Sequence, residues 1–106
     1  MRIRTTNTIL VSKEAYMYLQ RKGKVERAGK DFSPAHLERL EKNFDNFAHD
    51  GYKKLYDGCL GGCIGDPQDA YEQGRWTSWS CTDMAKMLDE AGLDYKMGEP
   101  TEIIDL

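Results

Sequence analysis

The clearest pattern in the chain runs from Ser33 to Tyr56, SPAHLERLEKNFDNFAHDGYKKLY. Wound at 3.6 residues per turn, Leu37, Leu40, Phe44, Phe47, Ala48, Gly51, Tyr52 and Leu55 fall within an arc of about 140°, the stripe of a helix buried on one side. Ser33 supplies an N-cap hydroxyl, and Pro34 takes the first helical position, where a missing N–H costs nothing. Unbroken to Tyr56, this central helix would be about 34 Å long, large for so small a domain. Asp50-Gly51 is one place for a break. Alternatively, Gly51 sits on the stripe and admits a close backbone neighbour.

Other segments follow from the same rules. From Arg2 to Leu10, Ile3, Thr5, Asn7 and Ile9 alternate with Arg4, Thr6 and Thr8, which predicts a strand. Ser12 caps a short helix to about Lys22, with Val11, Ala15, Tyr18 and Leu19 on one face and Gly23 as C-cap. Lys24 to Phe32 loses the pattern and reads as a loop or frayed hairpin. DGCLGGCIGDP, with Gly58, Gly61, Gly62, Gly65 and Pro67, reads as irregular backbone. Asp66-Pro67 starts a short helix ending near Gly74.

A second strong stripe spans Ser80 to Ala91. Ser80 and Asp83 form a capping box, and Cys81, Met84, Ala85, Met87, Leu88 and Ala91 share a face. Gly92 caps the end, with Leu93 folding back. Asp94 to Met97 reads as a strand, Gly98-Glu99-Pro100 as a turn, and Thr101 to Asp105 as a last strand. The expected fold is a single α+β domain over residues 1–106, two main amphipathic helices packed on a small sheet of N- and C-terminal strands.

Composition narrows the class. The 106 residues are 40% hydrophobic and 31% charged, enough for one modest core and little disorder. The apolar run Ile9 to Val11 is far shorter than a signal-peptide core, and no segment approaches the ~20 apolar residues of a bilayer span. Three cysteines, Cys59, Cys63 and Cys81, suit a reducing compartment. A soluble cytoplasmic protein that engages no membrane is the expectation.

The net charge of -3 is unevenly spread. Residues 1–30 carry eight basic side chains against Glu14 and Glu26, a balance of +6, and the remaining 76 carry seven basic and sixteen acidic ones, a balance of -9. Arg21, Lys22, Lys24, Arg27 and Lys30 therefore form a candidate nucleic-acid segment; the plainer reading pairs the basic end with the acidic end in the fold. Glu38, Glu41 and Asp45 line one flank of the central helix, with His49 a turn further on, as a candidate docking ridge for a basic partner. Trp76 and Trp79, three apart and near Tyr71, are candidates for partner contact or for closing over the core.

Candidate chemistry is sparse. The Gly-rich stretch lacks the Lys-Ser/Thr pair of a phosphate loop and a strand ahead of it for a dinucleotide fingerprint. Cys59 and Cys63, spaced C-x3-C, would need Cys81 and His49 to complete four zinc ligands, and no second paired knuckle exists. Small buried thiols are the better expectation, with no metal and no cofactor.

WSCTDMAKMLDEAGLDYKM resembles the helix-then-strand segment of papain-like and transglutaminase-like thiol enzymes, in which a nucleophilic Cys opens a helix. The resemblance covers under a fifth of the chain and implies Cys81 as nucleophile, its thiol activated by the helix N-terminus and a His. No His lies between Cys81 and Leu106, and His36 and His49 both fall in the predicted central helix. The leading expectation is a non-enzymatic regulator or inhibitor binding a protein partner, by analogy with small phage- and mobile-element-encoded inhibitors. A thiol hydrolase using Cys81 and a nucleic-acid module are the alternatives.

Overall fold

A computed structural model describes residues 2–58, 60 and 79–105. The elements are β1 (Arg2–Thr6), β2 (Thr8–Val11), α1 (Lys13–Ala28), α2 (Pro34–Phe47), β3 (Lys53–Tyr56), α3 (Cys81–Ala91), β4 (Tyr95–Met97) and β5 (Thr101–Asp105). The helix expected after Asp66, together with Cys59, Cys63, Tyr71 and Trp76, lies outside the described residues. The α+β class holds, with the strands arranged in two antiparallel sheets: β1 with β5, and β3-β2-β4 with β2 in the centre.

The single strand expected from Arg2 to Leu10 divides at Asn7. Its backbone N–H turns to the Asp57 carboxylate instead of a ladder carbonyl. Upstream, β1 pairs with β5, matching Ile3 with Ile104; downstream, β2 pairs with β3 and β4, matching Ile9 with Leu55 and Met97. The alternation in β2 then decides the faces. Ile9 and Val11 point into the core, where α1 and α3 cover them.

The first helix does not stop at Lys22. It runs to Ala28, and the left-handed cap is Gly29 (φ 72), whose N–H donates to the Val25 carbonyl. Gly23 is instead an interior, buried position following Ala15, Tyr16, Leu19 and Gln20 around the helix. Of two glycines able to cap, the later one is used, and the stretch expected to be loop is largely helix.

The central helix is shorter than its stripe. It ends at Phe47, and the last part of the apolar pattern belongs to a hairpin and a strand. Asp50 (φ 54) and Gly51 (φ 83) are both left-handed, while His49 and Tyr52 exchange N–H to carbonyl bonds of 2.7 and 3.0 Å. This is a two-residue hairpin loop, and Asp-Gly is among its preferred sequences because both central residues need positive φ. Gly51 is therefore an exposed turn residue, not a close-packed helix position. Phe47, placed on the buried stripe by its spacing, overshoots the core and is 67% exposed.

The last helix follows expectation. Ser80 accepts from the Asp83 N–H, the Asp83 carboxylate accepts from the Ser80 N–H, and Gly92 (φ 70) caps the far end. Leu93 N–H returns to the Leu88 carbonyl, closing a Schellman-type end. Beyond β4, the Gly98 N–H donates to Thr8 and the buried Thr8 hydroxyl donates to the Glu99 carbonyl at 2.7 Å. A methyl at Gly98 would overlap that hydroxyl, so the turn leading to β5 is fitted to β2. Among the described residues, the core unites Ile9, Val11, Leu19, Phe44, Leu55, Met84 and Leu88 from α1, α2, α3 and the central sheet.

Candidate functional site

Three places carry the chemistry that the sequence offers: the outer face of α2, the outer face of α1, and the N-terminus of α3. On α2, Glu38, Glu41 and Asp45 project within an arc of about 60°, all exposed. The apolar residues Leu37, Leu40 and Phe44 occupy the adjoining flank, centred about 100° further around the helix, and the carboxylates beside them are left to solvent. Asp45 accepts from the Lys13 ammonium at 3.1 Å, and Lys42 lies 3.7 Å from Glu38; both pairs are well exposed and hold the side chains only weakly. His49, expected one turn further along the helix, sits past its end beside Asp50, out on the hairpin loop. Exposed Phe47 stands at the same end of α2 as Asp45.

The basic segment is not gathered into one stripe. Arg21 is bound through Nε and a terminal nitrogen to Asp31, so the guanidinium is pushed above its usual range and the carboxyl below its own by that shared hydrogen bond. Lys22 lies over the Tyr18 ring and Lys24 over Phe32, in positions about 160° apart around α1. Lys30 follows the Gly29 cap, and Arg27 belongs to the last turn of α1. Phe32 also stacks on His36, with centroids 4.4 Å apart. Burial, aided by Arg39 and Lys24, pulls the His36 pKa below the ordinary imidazole value and keeps the ring neutral at neutral pH. A groove of about 550 Å³ runs along this outer face of α1, floored by Met17, Tyr18, Val25 and Leu93. Val25 falls in the stretch whose pattern predicts a loop, so the sequence does not show this face.

At α3, Cys81, the nucleophile that the thiol-enzyme resemblance implies, is instead the small buried thiol that its place on the apolar face predicts. Cys81 has no exposed surface and packs with Trp79, Met84 and Leu88. Burial, together with a hydrogen bond to Asp57 and the proximity of its negative charge, pushes the thiol up to about 12. A helix N-terminus ordinarily lowers a thiol pKa, and here burial and a carboxylate outweigh it. Neither imidazole faces the sulfur: His36 stacks on Phe32, and the His49 side chain is 94% exposed. Trp79, a candidate for partner contact or for closing over the core, is 7% exposed and belongs to the core cluster.

Asp57 is the polar centre that the sequence reading missed. One carboxylate oxygen accepts the Cys81 N–H at 2.7 Å, and the other accepts both the backbone and side-chain N–H groups of Asn7 at 3.4 and 3.2 Å. It thereby ties the end of β3 to the β1–β2 junction and to the first turn of α3. The available signal was an acidic residue before Gly58 at the end of a short apolar run, but its partners are 24 and 50 positions away.

Among the described residues, no three His, Cys, Asp or Glu side chains gather to hold a metal ion, and no helix is long and apolar enough to cross a membrane. Comparison of the chain with protein-family models, curated proteins and solved structures returned no match.

The state of Cys81 has a direct consequence. In the folded protein its thiolate fraction at about pH 8 is on the order of a thousandfold below that of a free cysteine. Iodoacetamide followed by peptide mapping should leave Cys81 unmodified in native protein and label it fully in denaturant. Rapid native labelling of this residue would contradict its burial.

Proposed function

We propose that this chain is a non-enzymatic protein-binding domain, a regulator or inhibitor, which docks on a basic partner surface through the outer face of α2. The reading rests on one observation: Glu38, Glu41 and Asp45 form an exposed acidic strip on a helix whose adjoining flank is anchored in the core. A helix held this way presents its charges at small entropic cost, and opposed potentials speed encounter and fix register. Phe47 is also exposed at this end of α2, but it stands about 120–180° around the helix from the strip, beneath the Lys53 ammonium, and is not part of the docking face. Direct nucleic-acid binding receives less support, because Arg21 is paired with Asp31 while Lys22 and Lys24 stand about 160° apart around α1, so the bases form no single stripe. Thiol catalysis would require Cys81 to leave the core and lose its proton against the Asp57 charge.

The triple charge reversal Glu38→Lys, Glu41→Lys and Asp45→Lys tests the docking face, since all three positions are exposed and the fold should be kept. Tagged wild-type protein should retain a protein from cells of its native source that high salt releases, and the triple variant should retain it at least about tenfold less well. Equal retention by both, at unchanged circular dichroism, would remove α2 as the docking face.

A further inference from the structure

The groove on α1 has a charge order that neither the α2 reading nor the core explains. Glu14, Met17, Tyr18, Arg21, Lys22 and Val25 follow the spacing i, i+3, i+4, i+7, i+8 and i+11, and so share an arc of about 140° on the outer side of α1, where Met17 and Tyr18 touch the core along their inner edge and keep the rest of their surface in water. The middle of this face is apolar: Met17, Tyr18 and Leu93 are half-buried, and Val25 is 48% exposed. Glu14 stands at one end, and Lys22 stands about 12 Å further along. Arg21 and Asp31 at that far end neutralise each other. The lining is therefore two acids and two bases, with no net charge to select an acidic or a basic partner.

What the order does select is itself reversed. The geometry points to a second copy of this chain as the occupant, packed antiparallel along α1 about a two-fold axis passing near Tyr18, with Glu14 of each copy facing Lys22 of the other. Tyr18 lies midway between positions 14 and 22, so one axis satisfies both ion pairs at once, as an isologous interface requires. Met17, Val25 and Leu93 then leave water on both copies. One helix face is small for an interface, which places the dissociation constant in the micromolar-to-millimolar range. This pairing leaves α2 free and stands independently of the docking role proposed for it.

Charge swapping supplies the test, read by sedimentation equilibrium of the full chain from micromolar to millimolar concentration. Wild type should dimerise. Glu14→Lys alone and Lys22→Glu alone should each weaken the dimer at least about tenfold, since two attractive pairs become two repulsive ones. The double variant should recover the dimer, and an equimolar mixture of the two single variants should form a heterodimer. Val25→Glu, at an exposed position, gives a second disruption that leaves the N-terminal turn of α1 unaltered. A wild type that stays monomeric at millimolar concentration overturns the proposal, as does a dimer indifferent to Glu14→Lys. A monomer whose capture of another protein is abolished by Val25→Glu would assign the groove to that protein and equally overturn it. The triple reversal on α2 should leave the dimer intact.

Discussion

Leu55→Ala is expected to destabilise the domain by about 3 kcal/mol and to lower its melting temperature by about 15 °C. Leu55 has no exposed surface and sits opposite Ile9 in the β2–β3 register, within the cluster that joins the sheet to the helices. Removing its isobutyl group strips apolar area from the core and leaves a space that two neighbouring strands cannot collapse into without breaking their ladder. For a domain of this size, whose total stability is of order 5–15 kcal/mol, the loss is a substantial fraction. Urea and thermal unfolding followed by circular dichroism would measure it. A loss under about 1 kcal/mol would mean that β3 is peripheral to the core.

Leu55 also illustrates where sequence periodicity succeeds and where it misleads. Its burial was legible, because an apolar residue on a regular stripe is seldom left in water. Its secondary structure was not. A stripe of period 3.6 that passes through Asp50-Gly51 can be continued across a hairpin by chance, since Tyr52 and Leu55 suit a helix face at i, i+3 as well as the strand they join. Only the need for positive φ at two successive residues separates the two, and Asp-Gly states that need locally. The α3 segment contained no such conflict: cap, capping box, stripe and terminal glycine all favoured the same element, and its limits were readable to the residue.

The candidate site divides in the same way. The acidic strip on α2 was legible because a helix stripe also fixes which flank beside it stays in water. The groove on α1 was concealed by a choice between Gly23 and Gly29, less than two helical turns apart, which local propensity leaves nearly balanced. Cys81 shows the limit of a short resemblance. A thiol opening a helix has one meaning beside an imidazole in a cleft and another beside a carboxylate in the core, and the difference is made by Asp57, remote in sequence.

Asp57→Ala should cost about 3 kcal/mol, because it leaves a helix-opening N–H and the Asn7 donors without their acceptor. Asp57→Asn should cost somewhat less: it keeps the shape but puts an amide donor where a second acceptor is needed, and removes a negative charge from the positive end of α3. The two copies of this effect in the pH profile have opposite signs. Burial works against the Asp57 charge, yet the hydrogen bonds from Cys81 and Asn7 outweigh it and hold the carboxyl below its usual value. Its contribution is therefore complete above the unfolded carboxyl value near pH 4 and is lost as pH falls through the lower folded value. Wild type and Asp57→Asn should differ most at neutral pH and converge in acid. Cys81 behaves in the reverse sense, since its thiol is raised to about 12. Its contribution is complete below about pH 8.5, the unfolded thiol value, and is lost as pH rises toward the folded one. Removing the Asp57 charge relieves part of that rise, so Asp57→Asn should shallow the alkaline loss while burial, the larger cause, preserves the rest. Urea unfolding of both proteins across the acid and alkaline ranges would read each limb separately. Parallel profiles throughout would show that the carboxylate contributes nothing through its charge, and an Asp57→Ala cost under about 1 kcal/mol would show that the bonds at Cys81 and Asn7 are incidental to the fold.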